Sequence, residues 1–198
     1  MKARLLPLLA LFGLLTLAAG CRSGAPPVAA KAPESARTLY AQCNLKVLKG
    51  TTITWVNWQS APEIIAVGTA LEVWGGPENW NLRNPVDGRT YSLQTGAAGE
   101  QFLQKFVSPA APQSAYRTEA TGNIQKAIAV VGMTREEVYV AMGPPATADG
   151  NSTQGMTRDQ IMGHHLWVWR RRRFGKNIGV EFDPASGVVT RTEGIWKK

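Results

Sequence analysis

The chain has 198 residues, a formal net charge of +8 and two cysteines. Its length limits it to one or two domains, and two cysteines allow at most one disulfide. The charge favours an anionic partner: phospholipid, glycolipid, an acidic protein face or nucleic acid.

Met1-Lys2-Ala3-Arg4 is a basic start, and Leu5 to Ala19 is an apolar run too short to span a membrane comfortably. The run ends Leu17-Ala18-Ala19-Gly20-Cys21, which resembles the lipobox of bacterial lipoproteins. That resemblance implies a signal peptide over 1–20 and a mature chain that begins at a lipid-modified Cys21. Ala18, where Leu or Val is commoner, is a tolerated departure. The other reading is an ordinary secretory signal with an incidental cysteine. Each buried acyl CH₂ contributes ~0.8 kcal/mol, so several palmitate-type chains on one cysteine would anchor firmly. Removing Lys2 and Arg4 leaves a net charge of +6. Export disfavours nucleic acid as the partner. With Cys21 acylated, Cys43 has no disulfide partner and reads as a small buried hydrophobe in a strand.

Residues 21–37 are rich in Ala, Pro and Ser without apolar periodicity and read as a tether, ~3 Å per residue where extended. Arg22 stands where Asp is the familiar inner-membrane retention signal, which by resemblance favours the outer membrane. Residues 38–95 read as a small all-β module. Leu39 to Leu48, Thr52 to Trp58, Ala70 to Trp74 and Arg89 to Leu93 are β-type runs, punctuated by Gly-containing turns such as Asp87-Gly88. Asn44 to Val47 followed by Val67 to Val73 is loosely similar to bacterial SH3-like domains, which implies a small barrel. Residues 96–120 read as a helix carrying Phe102, Leu103, Phe106 and Val107, then a Pro- and Ala-rich boundary.

From Thr121 the period is helical through Ile124, Ile128 and Val131. Thr134 and Glu137 then have capping-box spacing, and Gly143-Pro144-Pro145 ends a second short helix whose Val138, Ala141 and Met142 share a face. Ala146 to Gln154 reads as a polar loop. Gly155 to Ile161 echoes Gly132 to Val138 with a second Thr-x-x-Gln box, either one helical turn or a duplicated fragment. Leu166 to Arg170, Ile178 to Phe182 and Val188 to Thr192 alternate as three strands. The predicted class is α+β, with two helices covering an antiparallel meander over 121–198.

Gly132-Met133-Thr134-Arg135-Glu136-Glu137-Val138, Met142 to Pro145, Trp167-Val168-Trp169 and Val180 to Asp183 before Gly187-Val188-Val189 together resemble the SmpA/OmlA (BamE-like) family of outer-membrane lipoproteins. The resemblance covers Thr121 to Glu193. It implies an ααβββ fold and an accessory, protein-binding role in the machinery that inserts β-barrel proteins into the outer membrane. The β module has no counterpart in the minimal family member, and the segment from Ala146 to Gly163 is long for it.

Arg170, Arg171, Arg172 and Arg173 form the densest charge run, with Trp167 and Trp169 just before it. One reading is a partner or anion contact, gripped bidentately by guanidinium groups. The other is a solvated hairpin end with tryptophans in the core. Trp55, Trp58, Trp74 and Trp80 either line a peptide or glycan groove or fill the β core. His164 and His165, adjacent in an extended segment, point opposite ways and do not chelate one metal readily. No nucleophile, carboxylate pair, metal or cofactor motif stands out, so the expectation is a non-catalytic lipoprotein on the periplasmic face. Its expected partners are an envelope protein and an anionic lipid or glycolipid. The alternative is peptidoglycan or peptide recognition through the β module.

Overall fold

The computed structural model describes residues 32–112, 116–171 and 176–194. The leader, Cys21, most of the tether, Arg172 and Arg173 lie outside the described residues. The first part comprises β1 (Arg37–Ala41), β2 (Leu45–Val47), β3 (Thr52–Thr54), β4 (Glu63–Ile65), β5 (Ala70–Gly75), β6 (Asn79–Arg83), β7 (Thr90–Gln94), α1 (Glu100–Leu103) and β8 (Val107–Ser108). Six of these strands form one sheet in the order β3-β7-β6-β5-β1-β8, while β2 and β4 pair separately. The expected SH3-like barrel does not close. β3 joins the sheet only through a parallel pairing with β7, and β8 lies at the opposite edge.

Local sequence explains where the strands break. The run from Leu39 to Leu48 divides at Gln42–Asn44, so Cys43 is buried as expected but in a bend between β1 and β2. The helical period over Phe102 to Val107 yields only the single turn of α1. Phe106 is then buried in the turn that follows α1, and Val107 in β8, which pairs with β1.

The second part comprises α2 (Thr118–Gln125), α3 (Arg135–Met142), β9 (Thr147–Ala148), β10 (Asn151–Ser152), α4 (Arg158–Met162), β11 (Leu166–Trp169), β12 (Ile178–Phe182) and β13 (Val189–Glu193). Its sheet runs β10-β9-β11-β12-β13, antiparallel throughout. The segment read as a polar loop is instead the β9–β10 hairpin, turned by Asp149 (φ 46°) and Gly150 (φ 81°). The Gly155 echo is helical: α4 has a complete capping box from Thr157 and Gln160. α2 stops short of its apolar period because Ala127 turns left-handed (φ 54°), which leaves Val131 62% exposed.

α3 is the centre of the molecule. Thr134 accepts from Glu137 N, and the Glu137 side chain accepts from Thr134 N, completing the predicted capping box. Glu137 through Met142 are all buried, so beyond its first turn, where Glu136 is exposed, α3 shows no face to solvent, unlike the one-faced helix expected. Its last turn shows why. A helix end leaves carbonyls without partners, and the first part of the chain supplies donors for them. Asn44 N donates to Val140 O (2.9 Å), and Asn44 Nδ2 to Ala141 O (3.0 Å) and Ile124 O (2.7 Å). Asn57 Nδ2 donates to Met142 O (2.6 Å) and Asn44 O (3.2 Å). The Asn57 oxygen accepts from Lys46 N, and that of Asn44 from Val67 N, so both buried amides use both ends. Gly143 (φ 70°) is required twice: only its backbone suits the turn, and a Cβ would collide with the Asn57 amide.

On the opposite side of α3, Tyr139 meets Trp167 edge-on at 6.1 Å, and its hydroxyl donates to Lys105 O. One hydrophobic core therefore runs from Leu39 through α3 to Val189. Lys105 reinforces the junction. Its ammonium is buried, donates to Thr153 O (3.1 Å) and Gln154 O (3.0 Å), and lies 5.4 Å from the Phe102 ring centroid.

Candidate partner-contact surface

β11 alternates as its sequence predicts, and the tryptophans take the inner face. Trp167 and Trp169 are both 0% exposed. Trp167 packs edge-to-face on Phe182 (4.7 Å) and Trp169 (6.0 Å). Each indole N–H has a buried acceptor: Trp167 Nε1 donates to Ile161 O (3.1 Å) and Trp169 Nε1 to Gly143 O (3.0 Å). Their expected part in a partner contact is thereby corrected: satisfied on every side, they hold the sheet against α3. The outward side chains of β11 are Leu166, 42% exposed, and half-buried Val168.

Arg170 and Arg171 follow directly from β11. Arg170 is exposed, and its carbonyl accepts from Gln59 N (3.0 Å), which ties the strand end to the first part of the chain. Arg171 donates to Lys176 O (3.4 Å). The electrostatic distinction is in the pairing. Arg37, Arg83, Arg89, Arg117, Arg158 and Arg191 each meet a carboxylate, respectively Glu100, Glu72, Glu63, Glu137, Glu136 and Glu193. Arg135 holds His165 Nδ1 (2.6 Å). Among the described residues, Arg170 and Arg171 are the two arginines with neither kind of partner, and every Asp and Glu of the chain is described. Two uncompensated guanidinium groups thus stand at one end of the sheet, beside exposed Lys176. Arg172 and Arg173 belong to the same run by sequence and lie outside the described residues.

The remaining candidates are dispersed. His164 Nδ1 contacts Asp149 Oδ2 (2.9 Å) while His165 turns to Arg135, so the two imidazoles serve different neighbours. Burial raises the Asp149 carboxyl, but His164 and the bonds its oxygens accept from the Leu166 and His165 amides together hold it below its ordinary range. Burial pushes the Cys43 thiol up, which keeps it protonated and unreactive. Trp80 is buried under the Arg37 guanidinium (5.6 Å), whereas Trp55, Trp58 and Trp74 are half-buried.

The sequence reading missed a depression of about 240 Å³ whose lining includes Gln42, Gln101, Gln104, Ser108, Arg158 and Asp159. A second, of about 460 Å³, adjoins it through Gln42 and Ser108 and includes Tyr116, Arg117 and Pro112. Gln101 and Gln104 are three apart, the spacing of one helix face, so part of this lining was legible. Its far wall, from the start of α4, was not. Comparison with known proteins adds no relative: no protein-family model, curated protein or solved structure matches the chain.

Proposed function

We propose that this protein is a non-catalytic, lipid-anchored adaptor of the bacterial outer membrane. In this reading Cys21 carries the lipid, the tether holds the folded part in the periplasm, and that part binds an envelope protein in support of outer-membrane protein assembly. The second half of the chain is read as a BamE-like ααβββ module: α2 and α3 are its helices and β11, β12 and β13 its meander, with β9, β10 and α4 inserted between. The first half is the additional β unit that braces α3.

The observation that supports a binding role most directly is the uncompensated charge of Arg170 and Arg171. Elsewhere the described arginines are matched within the fold, so these two remain available for an acidic protein surface or a phosphate group, the anions that a guanidinium grips bidentately. The contact is built from arginine, with Trp167 and Trp169 supporting it from inside. In the test, Arg170 to Arg173 are replaced by Ser and envelope proteins are crosslinked to the full chain in intact cells. The expected result is a loss of about fivefold or more in captured partner with an unchanged melting temperature. Undiminished capture by the folded variant would contradict the assignment.

A further inference from the structure

We infer that the depression between α1 and the start of α4 is a binding site for a neutral carbohydrate. Three sets of observations lead there, none of them drawn from the arginine run.

The first is unused hydrogen-bonding capacity. Among the described residues the side chains of Gln101, Gln104 and Asp159 have no hydrogen-bond partner, although all three line one depression. An amide offers two donors and an acceptor, and a carboxylate accepts at both oxygens. Convergent groups of these kinds match the alternating donor and acceptor hydroxyls of a sugar ring.

The second is charge. Both arginines of the groove are neutralised within it, Arg158 by Glu136 and Arg117 by Glu137. Asp159 is left as an unpaired charge, which disfavours an anionic ligand. The groove offers no free cation to an anion, and its unpaired amides, Gln101 and Gln104, are the groups that suit a neutral polar molecule, unlike the strand end at Arg170.

The third is the edge beside it. A peptide would ordinarily add to β8, which is the last strand of its sheet. Gln42 closes that route. Its side-chain amide donates to Val107 O (3.0 Å), occupying a β8 carbonyl that an added strand would need, and also to Gln104 O at the end of α1. Recognition must then use side chains, while Tyr116 and Pro112 in the adjoining depression offer apolar faces for the C–H side of a ring.

The experiment titrates the full chain, in a detergent without a sugar head group, with maltotetraose, cellotetraose and the N-acetylglucosamine tetrasaccharide, and follows binding by calorimetry. Gln101→Ala combined with Gln104→Ala removes two exposed amides that make no bond within the fold, so folding should survive; a matching melting temperature verifies it. At least one tetrasaccharide should bind, and the double variant should weaken it about tenfold or more. Asp159→Asn is the second variant and should weaken the same sugar. Absence of binding by all three sugars at 10 mM (roughly the limit for useful affinity) would overturn the inference. So would equal binding by the folded double variant.

Discussion

At Asn57 one amide spans two parts of the chain, donating to Met142 O and Asn44 O and accepting from Lys46 N. Asn57→Ala would leave buried groups unpaired on both sides and lose a residue suited to φ 48°. The expected cost is about 3 kcal/mol, read from urea unfolding; a loss below about 1 kcal/mol would mean that water replaces the amide. Asn57→Gly accepts the backbone angle but not the bonds, and should fall nearly as far. Two buried lysines give a pH signature. Burial lowers Lys46 and Lys105 to about 8 from an ordinary 10.5, so above pH 8 the unfolded chain binds more protons than the folded one. Stability should therefore rise with pH from 8 toward 9. Beyond 9.0, the ordinary thiol value, Cys43 opposes it, because its raised pKa makes the unfolded chain the first to lose that proton. Urea midpoints between pH 8 and 9 test this. Lys105→Met should flatten the rise, and midpoints falling across that window in the unmodified chain would contradict it.

Among the elements, α3 was the most legible because its ends are written locally. Thr134, Glu137 and Gly143 act within one turn of themselves, and each takes its expected place. Thr134→Ala should cost about 1 kcal/mol in thermal unfolding, because it leaves Glu137 N without its acceptor. An unchanged melting temperature would show that the cap is redundant. The alternation of β11 was equally legible, but alternation names two faces and not which is inside. That choice was made by α3 and Phe182, distant in sequence, and it withdrew Trp167 and Trp169 from the surface. β6 was overlooked although Trp80 and Leu82 alternate with Asn79, Asn81 and Arg83, a pattern that polar residues dilute. The barrel expectation failed at β3, whose parallel partner β7 no local signal specifies. The arginine run was visible in sequence; its lack of carboxylate partners required the fold.

For the whole molecule, the decisive feature is that α3 is enclosed from both sides. Its last carbonyls are capped by Asn44, Asn57 and Gln59 from the first half, while Tyr139 meets Trp167 of the second. The folded part is thus a single scaffold that presents two chemically different surfaces, a polar groove whose one unpaired charge is Asp159 and a sheet end with two unpaired arginines. Such a scaffold suits an adaptor held near a membrane, where a fixed geometry lets one attachment orient both surfaces. The anchor is the premise on which that reading depends, and it is tested most directly by the mass of the N-terminal peptide of the protein recovered from cell membranes. The account predicts that residues 1–20 are gone and that Cys21 is the first residue, carrying a diacylglycerol thioether and an amide-linked acyl chain. A peptide that begins at Met1, or an unmodified Cys21 in a chain released with the soluble fraction, would contradict it.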